Sequence, residues 1–166
     1  PTVQLHVVQE LLDVFQLNDV HEPEDPPEEQ ITDQVFLSVS VAAVSGVTAP
    51  RTMCFWGQLG DHQIRILLDS GSSHTFISTE LAARFSSVQK LSCPLQVQVA
   101  NGQILTCSTH IPDASWSIQS CQFISNLKVL PLSAYDMILG LDWLADNSPM
   151  EVHWGQKWIQ FTHKGN

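Results

Sequence analysis

At 166 residues with a formal net charge of −10, the chain has room for one domain with a full core plus a short appendage, and none for two ordinary domains. The acidity sits at one end: residues 1–34 carry nine acidic side chains and no Lys or Arg, while the remainder sets eight acids against seven basic residues. Such a nearly neutral remainder has no basic stripe for a phosphate backbone, no run near the about 18 apolar residues of a membrane span, and no signal peptide, which argues against direct nucleic-acid binding and membrane insertion.

Along the chain, Leu5, Val8, Leu11, Leu12 and Phe15 fall on one stripe of a helix, so residues 1–17 are expected to form an amphipathic helix. It either packs on the chain's own core or docks on a neighbour. Residues 18–34 combine three prolines with seven acids and little to bury, the composition of a solvated linker. The folded domain is therefore expected over 35–166. There the pattern turns to period two, first over Val35 to Val41, then over Met53 to Leu59 and Gln63 to Leu68 around a Gly60-Asp61-His62 turn. A second hairpin is signalled by Asn101-Gly102 between Leu95 to Ala100 and Gln103 to Thr109. Further strands are expected at Trp116 to Ile118, Phe123 to Leu130 and Trp158 to Phe161, with short helices at Thr79 to Phe85 and Leu141 to Ala145. The sum is a mainly β, single-lobed domain with two short helices.

One stretch carries chemistry. In Ile66-Leu67-Leu68-Asp69-Ser70-Gly71-Ser72-Ser73-His74 a carboxylate ends an apolar run and precedes a glycine and three hydroxyls. A lone carboxylate in water is a weak base and too fully ionised to serve as an acid, but two forced together share one proton and can take and give protons in the same step. A sharp loop is needed to present such an acid, and Gly71 with the Ser70 hydroxyl suits one.

Leu68-Asp69-Ser70-Gly71-Ser72 resembles the hydrophobic-Asp-Ser/Thr-Gly signature of aspartic proteases. Its expected companion, a hydrophobic-hydrophobic-Gly segment entering a helix, is found in Ile138-Leu139-Gly140-Leu141-Asp142-Trp143-Leu144, with the Asn101-Gly102 hairpin between the two where a flap belongs. The runs Tyr135 to Leu144 and Val99 to Gly102 are similar to the protease region of gypsy-type LTR retrotransposon polyproteins, plant ones above all. The resemblance spans about residues 35–161. It implies a retropepsin-type half-barrel that hydrolyses peptide bonds with an activated water, without cofactor or metal. No second D-S-G or D-T-G occurs in the chain, so a shared dyad requires a homodimer in which Asp69 of each copy meets at a two-fold axis. The resemblance implies Asp69 as catalytic acid or base, Ser70 as a tie between the two loops, Gly71 as an acceptor for the substrate backbone, and Ser72 as a donor to the carboxylate. Ser73 and His74 fall where retroviral enzymes often carry acids that contact substrate, a departure that bears on specificity. Asn101 and Gly102 would form the flap tip, and Ile138 would contact substrate. The dimer sheet would be built from the strands around Val35 to Val41 and Trp158 to Phe161.

Other candidates have plainer readings. Asp142 suits the first turn of a helix and Asp136 a turn. The seven histidines lack metal-ligand spacing, and the five tryptophans read as core. Cys54, Cys93, Cys107 and Cys121 have neither zinc nor disulfide-framework spacing and read as reduced, mostly buried residues of an intracellular, cytoplasmic protein, inside virus-like particles if the resemblance holds. The chain opens on Pro1, as a piece of a longer polypeptide would. Two alternatives to a polyprotein-processing peptidase remain: a silent or domesticated dimerisation module of the same fold, and a partner-binding function in residues 1–34.

Overall fold

The computed structural model describes residues 2–6, 36–39, 44 and 52–163. In chain order the strands and helices are β1 (Thr2–His6), β2 (Phe36–Val39), β3 (Met53–Leu59), β4 (His62–Leu68), β5 (Phe76–Ser78), α1 (Thr79–Ala82), β6 (Gln89–Val99), β7 (Ile104–Ile118), β8 (Cys121–Leu130), β9 (Met137–Leu139), α2 (Leu141–Asp146), β10 (Met150–His153) and β11 (Trp158–Thr162). The expected fold class holds: strands dominate and the two helices are short.

Eight strands form one sheet in the order β2-β6-β7-β3-β4-β9-β5-β8, and an additional β7–β8 pairing closes six of them into a barrel-like ring. Period-two burial explains why these segments become strands: in β3, Met53, Phe55, Gly57 and Leu59 turn inward. Gly60, at φ +56°, takes the left-handed corner of the β3–β4 hairpin that a side chain would resist. The inward faces supply two apolar clusters. Trp116, Phe123, Trp143 and Phe161 knit β7, β8, α2 and β11 together in the larger one, with Trp116 stacked on Phe123 at 4.6 Å. Leu37, Val39, Leu67, Phe76, Val97, Val99 and Ile138 belong to the smaller one, under the Asp69 loop.

Several expectations change. Thr2–His6 is a strand, antiparallel to β11 from Thr2↔Thr162 to His6↔Trp158, so the helix expected over 1–17 does not begin there. Leu5 is fully buried in the main core, and this burial outweighs a helical stripe that local spacing alone proposes. Residues 7–17 and the linker 18–34 lie outside the described residues. The strands expected at Gln103 to Thr109 and Trp116 to Ile118 are parts of one fifteen-residue strand. A bulge between Ile111 and Ala114, with Asp113 at φ 46°, resets its alternation midway. α1 stops at Ala82, short of Phe85, capped by Ser78 Oγ accepting from Leu81 N–H at 3.2 Å. Trp154 is 71 % exposed and so is no core residue, and of the four cysteines only Cys107 is buried, Cys93 being exposed.

The two strands expected in a dimer sheet have partners within the chain. β2 lies parallel to β6 in the large sheet. β11 is the middle strand of a small sheet of order β1-β11-β10, with both of its edges already paired. No helix among the described residues is long and apolar enough to cross a membrane.

Candidate active site

β4 carries the chain to Asp69, and β9 lies parallel beside it, Leu68 opposite Leu139. The Asp69 N–H extends that ladder by donating to the Leu139 carbonyl at 3.0 Å. The chain then turns back on itself, with the Ser72 N–H donating to the Asp69 carbonyl at 3.2 Å. Inside the turn the Asp69 carboxylate is clasped on both oxygens: Gly71 N–H donates to Oδ1 at 2.9 Å and Ser72 Oγ donates to Oδ2 at 2.8 Å. Ser72 is fully buried, so the donor is held in place, while Asp69 itself stays half-buried at the surface. Gly71 is glycine for reasons of space and not of backbone hand: a Cβ there would lie 3.1 Å from Oδ1 of Asp69. The Ser70 hydroxyl is exposed and makes no hydrogen bond among the described residues.

The hydrophobic-hydrophobic-Gly segment of the sequence supports this loop from beneath. After β9 the chain passes through Gly140, where a Cβ would overlap the carbonyl groups of His74 and Ser72. Leu141 N–H then donates to the Ser72 carbonyl at 2.7 Å. Asp142 accepts from Thr75 N–H at 2.9 Å, Thr75 Oγ1 at 2.8 Å and Trp143 N–H at 2.7 Å. It therefore ties α2 to the exit of the loop, a more specific structural role than easing a helix dipole. Asp136 accepts from Arg65 N–H at 2.7 Å through Oδ2 and is likewise structural. Thr75, 1 % exposed, was not marked by any sequence pattern; its partner lies 67 positions away.

Ser73 and His74 are half-buried beside the loop, His74 Nδ1 lying 3.1 Å from Ser73 Oγ. Burial, and after it the Lys128 ammonium, lower the His74 pKa from its ordinary 6.5, with Asp142 opposing. Burial likewise lowers the Lys128 pKa and raises that of the Cys107 thiol. A depression lined by His74, Lys128, Asp142 and Asn147 adjoins the loop without including Asp69. Asn101 and Gly102 are exposed at the tip of the β6–β7 hairpin. Gly102 N–H donates to Val99 at 2.8 Å with φ +87°, and Asn101 Oδ1 accepts from Gln103 N–H at 3.0 Å, which fixes a tight turn. Ile138 is fully buried in the smaller cluster together with Phe76 and Leu37. The loop and its β9–α2 support thus come together as the sequence implies, with the hairpin tip as a separate exposed feature. Ser38, a strand position in the sequence pattern, bonds directly to this loop.

Among the described residues no group of three or more His, Cys, Asp or Glu side chains is placed to hold a metal ion. A search of the curated proteins gave no match. Among solved structures the chain is similar to the retroviral protease-like domain of Ddi1 from Leishmania major, with TM-score 0.53 and 14 % identity over 69 % of this chain and 91 % of that one. This likeness extends to the fold, which is retropepsin-like. The family model described as retroviral aspartyl protease matches residues 57–165 and so takes in the Asp69 loop, the hairpin tip and the β9–α2 support. The chain belongs to the retroviral aspartyl protease family.

Proposed function

We propose that the protein is an aspartic endopeptidase that hydrolyses peptide bonds with a water activated between Asp69 and the Asp69 of a second copy. The observation that carries this reading is the clasped carboxylate: Gly71 N–H and Ser72 Oγ hold one oxygen each and leave Asp69 half-buried at an open face. The neighbouring acids Asp136 and Asp142 are committed to Arg65 and to Thr75 and Trp143, so the second carboxylate comes from a homodimer. Two carboxylates in contact hold one proton between them. The ionised one takes a proton from water as the oxygen attacks the scissile carbonyl, and the protonated one gives its proton to the carbonyl oxygen. The resulting tetrahedral species collapses with proton transfer to the leaving nitrogen, and no covalent bond to the enzyme forms.

Two further observations support a dimer. The Ser70 hydroxyl is exposed and has no hydrogen-bond partner among the described residues, which suits a bond across the axis. Leu141, whose backbone is bonded to Ser72, leaves a side chain 53 % exposed beside the loop. Asn101 and Gly102 act as the flap tip over a polypeptide substrate, with Gly71 and Ser73 contacting its backbone. The likeness of Tyr135 to Leu144 and Val99 to Gly102 to gypsy-type elements points to a retrotransposon polyprotein as the substrate.

Incubating the full chain with such a polyprotein, alongside Asp69→Asn and a pepstatin control, tests the chemistry. Wild type is expected to cut, and Asp69→Asn to lose at least about 10³-fold in rate, since the shared-proton pair is then gone. Cleavage that survives Asp69→Asn would rule the mechanism out.

A further inference from the structure

β2 touches both parts of the cleft that a peptide substrate would use. Along one edge it runs parallel to the flap strand β6, from Phe36↔Gln96 to Val39↔Val99, and Ala100 N–H donates to the Val39 carbonyl at 3.2 Å beside the flap tip. Along its other edge the partner is the Asp69 loop. Ser38 N–H donates to Ser73 Oγ at 2.9 Å, Ser73 N–H donates to the Ser38 carbonyl at 2.9 Å, and Ser38 Oγ donates to the Gly71 carbonyl at 3.2 Å. The strand thus lies extended between flap and loop, bonded to each. Leu37 and Val39 are 3 % and 1 % exposed, packed in the cluster that holds Val97, Val99, Phe76 and Ile138, while Ser38 between them stays exposed.

We propose that β2 is a tethered ligand of the peptide cleft: it takes the place of a substrate strand, an incoming peptide must displace it, and its Leu37-Ser38-Val39 alternation is the pattern the cleft accepts. The inference rests on the reading of Gly71 and Ser73 as substrate contacts. A backbone N–H has one proton to give, so Ser73 N–H serves either the Ser38 carbonyl or a substrate carbonyl, never both. Main-chain bonds on both edges with apolar side chains pocketed at alternate positions are how an extended peptide is recognised. β2 is only four residues long, sits at the edge of its sheet and precedes the stretch matched by the family model, residues 57–165. A tethered strand acts at an effective concentration of roughly millimolar, and it weakens a competing peptide by the fraction of time the cleft stands open.

The test uses the full chain carrying Asp69→Asn, so that nothing is cut, and a labelled synthetic peptide of the Val35 to Val41 sequence. Ser38→Pro removes the N–H that Ser73 Oγ accepts, and is expected to tighten peptide binding about tenfold. In the chain with Ser38 intact, saturating peptide should speed hydrogen exchange at the Ser38 amide while the Ser73 amide stays protected by the incoming carbonyl. This second readout does not depend on how the proline variant folds. Equal binding to both chains, no binding to either, or an unchanged Ser38 amide overturns the proposal. Cleavage is scored separately on chains that retain Asp69, where Ser38→Pro should lower KM about tenfold with little change in kcat. Peptide displacement without cleavage would fail the protease reading and leave the tethered strand standing; cleavage with an unchanged KM would do the reverse.

Discussion

His74 immediately follows the Asp69 loop and shares its depression with Lys128 and Asp142. Because burial and Lys128 hold its pKa below 6.5, the unfolded chain takes up a proton near 6.5 that the folded chain still refuses. Stability is therefore intact above 6.5 and falls as pH drops from there toward the folded value. Urea midpoints measured from neutral to mildly acidic pH should decline for wild type and decline less for His74→Asn; parallel curves would remove His74 from the acid response. Its position next to the loop was plain in the sequence, but its neighbours Lys128 and Asp142 were not. The same division runs through the other residues. Asp69, Gly71 and Ser72 were readable because their bonds join positions two or three apart. The Thr75–Asp142 and Ser38–Ser73 bonds join positions 67 and 35 apart, and the chain path between them is a tertiary outcome that no local pattern encodes.

At the scale of elements, the loop depends on the tight crossing of the β9–α2 junction beneath it. Gly140→Ala would drive a methyl into the backbone carbonyls of His74 and Ser72, and neither can swing aside as a flexible side chain does, because Ser72 is itself bonded to Leu141. A loss of at least about 3 kcal/mol is expected, read as a lower urea midpoint, with a collapse of activity in parallel. An unchanged midpoint would mean that the crossing is looser than described. β3, β4, β8 and the Asn101-Gly102 hairpin followed from alternation and turn residues. β1 did not, because Leu5 obeys both a helical stripe and a strand, and only the presence of β11 decides between them. β7 is obscured in the sequence for another reason: the bulge at Pro112 and Asp113 shifts which residues face inward, so a continuous strand looks like two.

At the scale of the whole molecule, the proposed dyad draws one Asp69 from each of two copies, which would make activity a property of the pair. Specific cleavage activity should rise with protein concentration until the dimer saturates, and the thermal midpoint should rise with it. A protein that stays monomeric by sedimentation while cutting peptides at a constant specific rate would exclude the shared dyad. β11 offers no open edge, so a shared sheet would have to grow from β1 or β10. Of these, β10 presents Glu151 and His153 at exposed positions, and charge on an edge discourages pairing. β1 has a further consequence. Because Thr2 stands opposite Thr162, two positions far apart in the sequence lie about 5 Å from each other across an antiparallel pair. Such a clasp closes almost the whole sequence into one loop: β1 can dock only once β11 has been laid down, and displacing β11 would set β1 free.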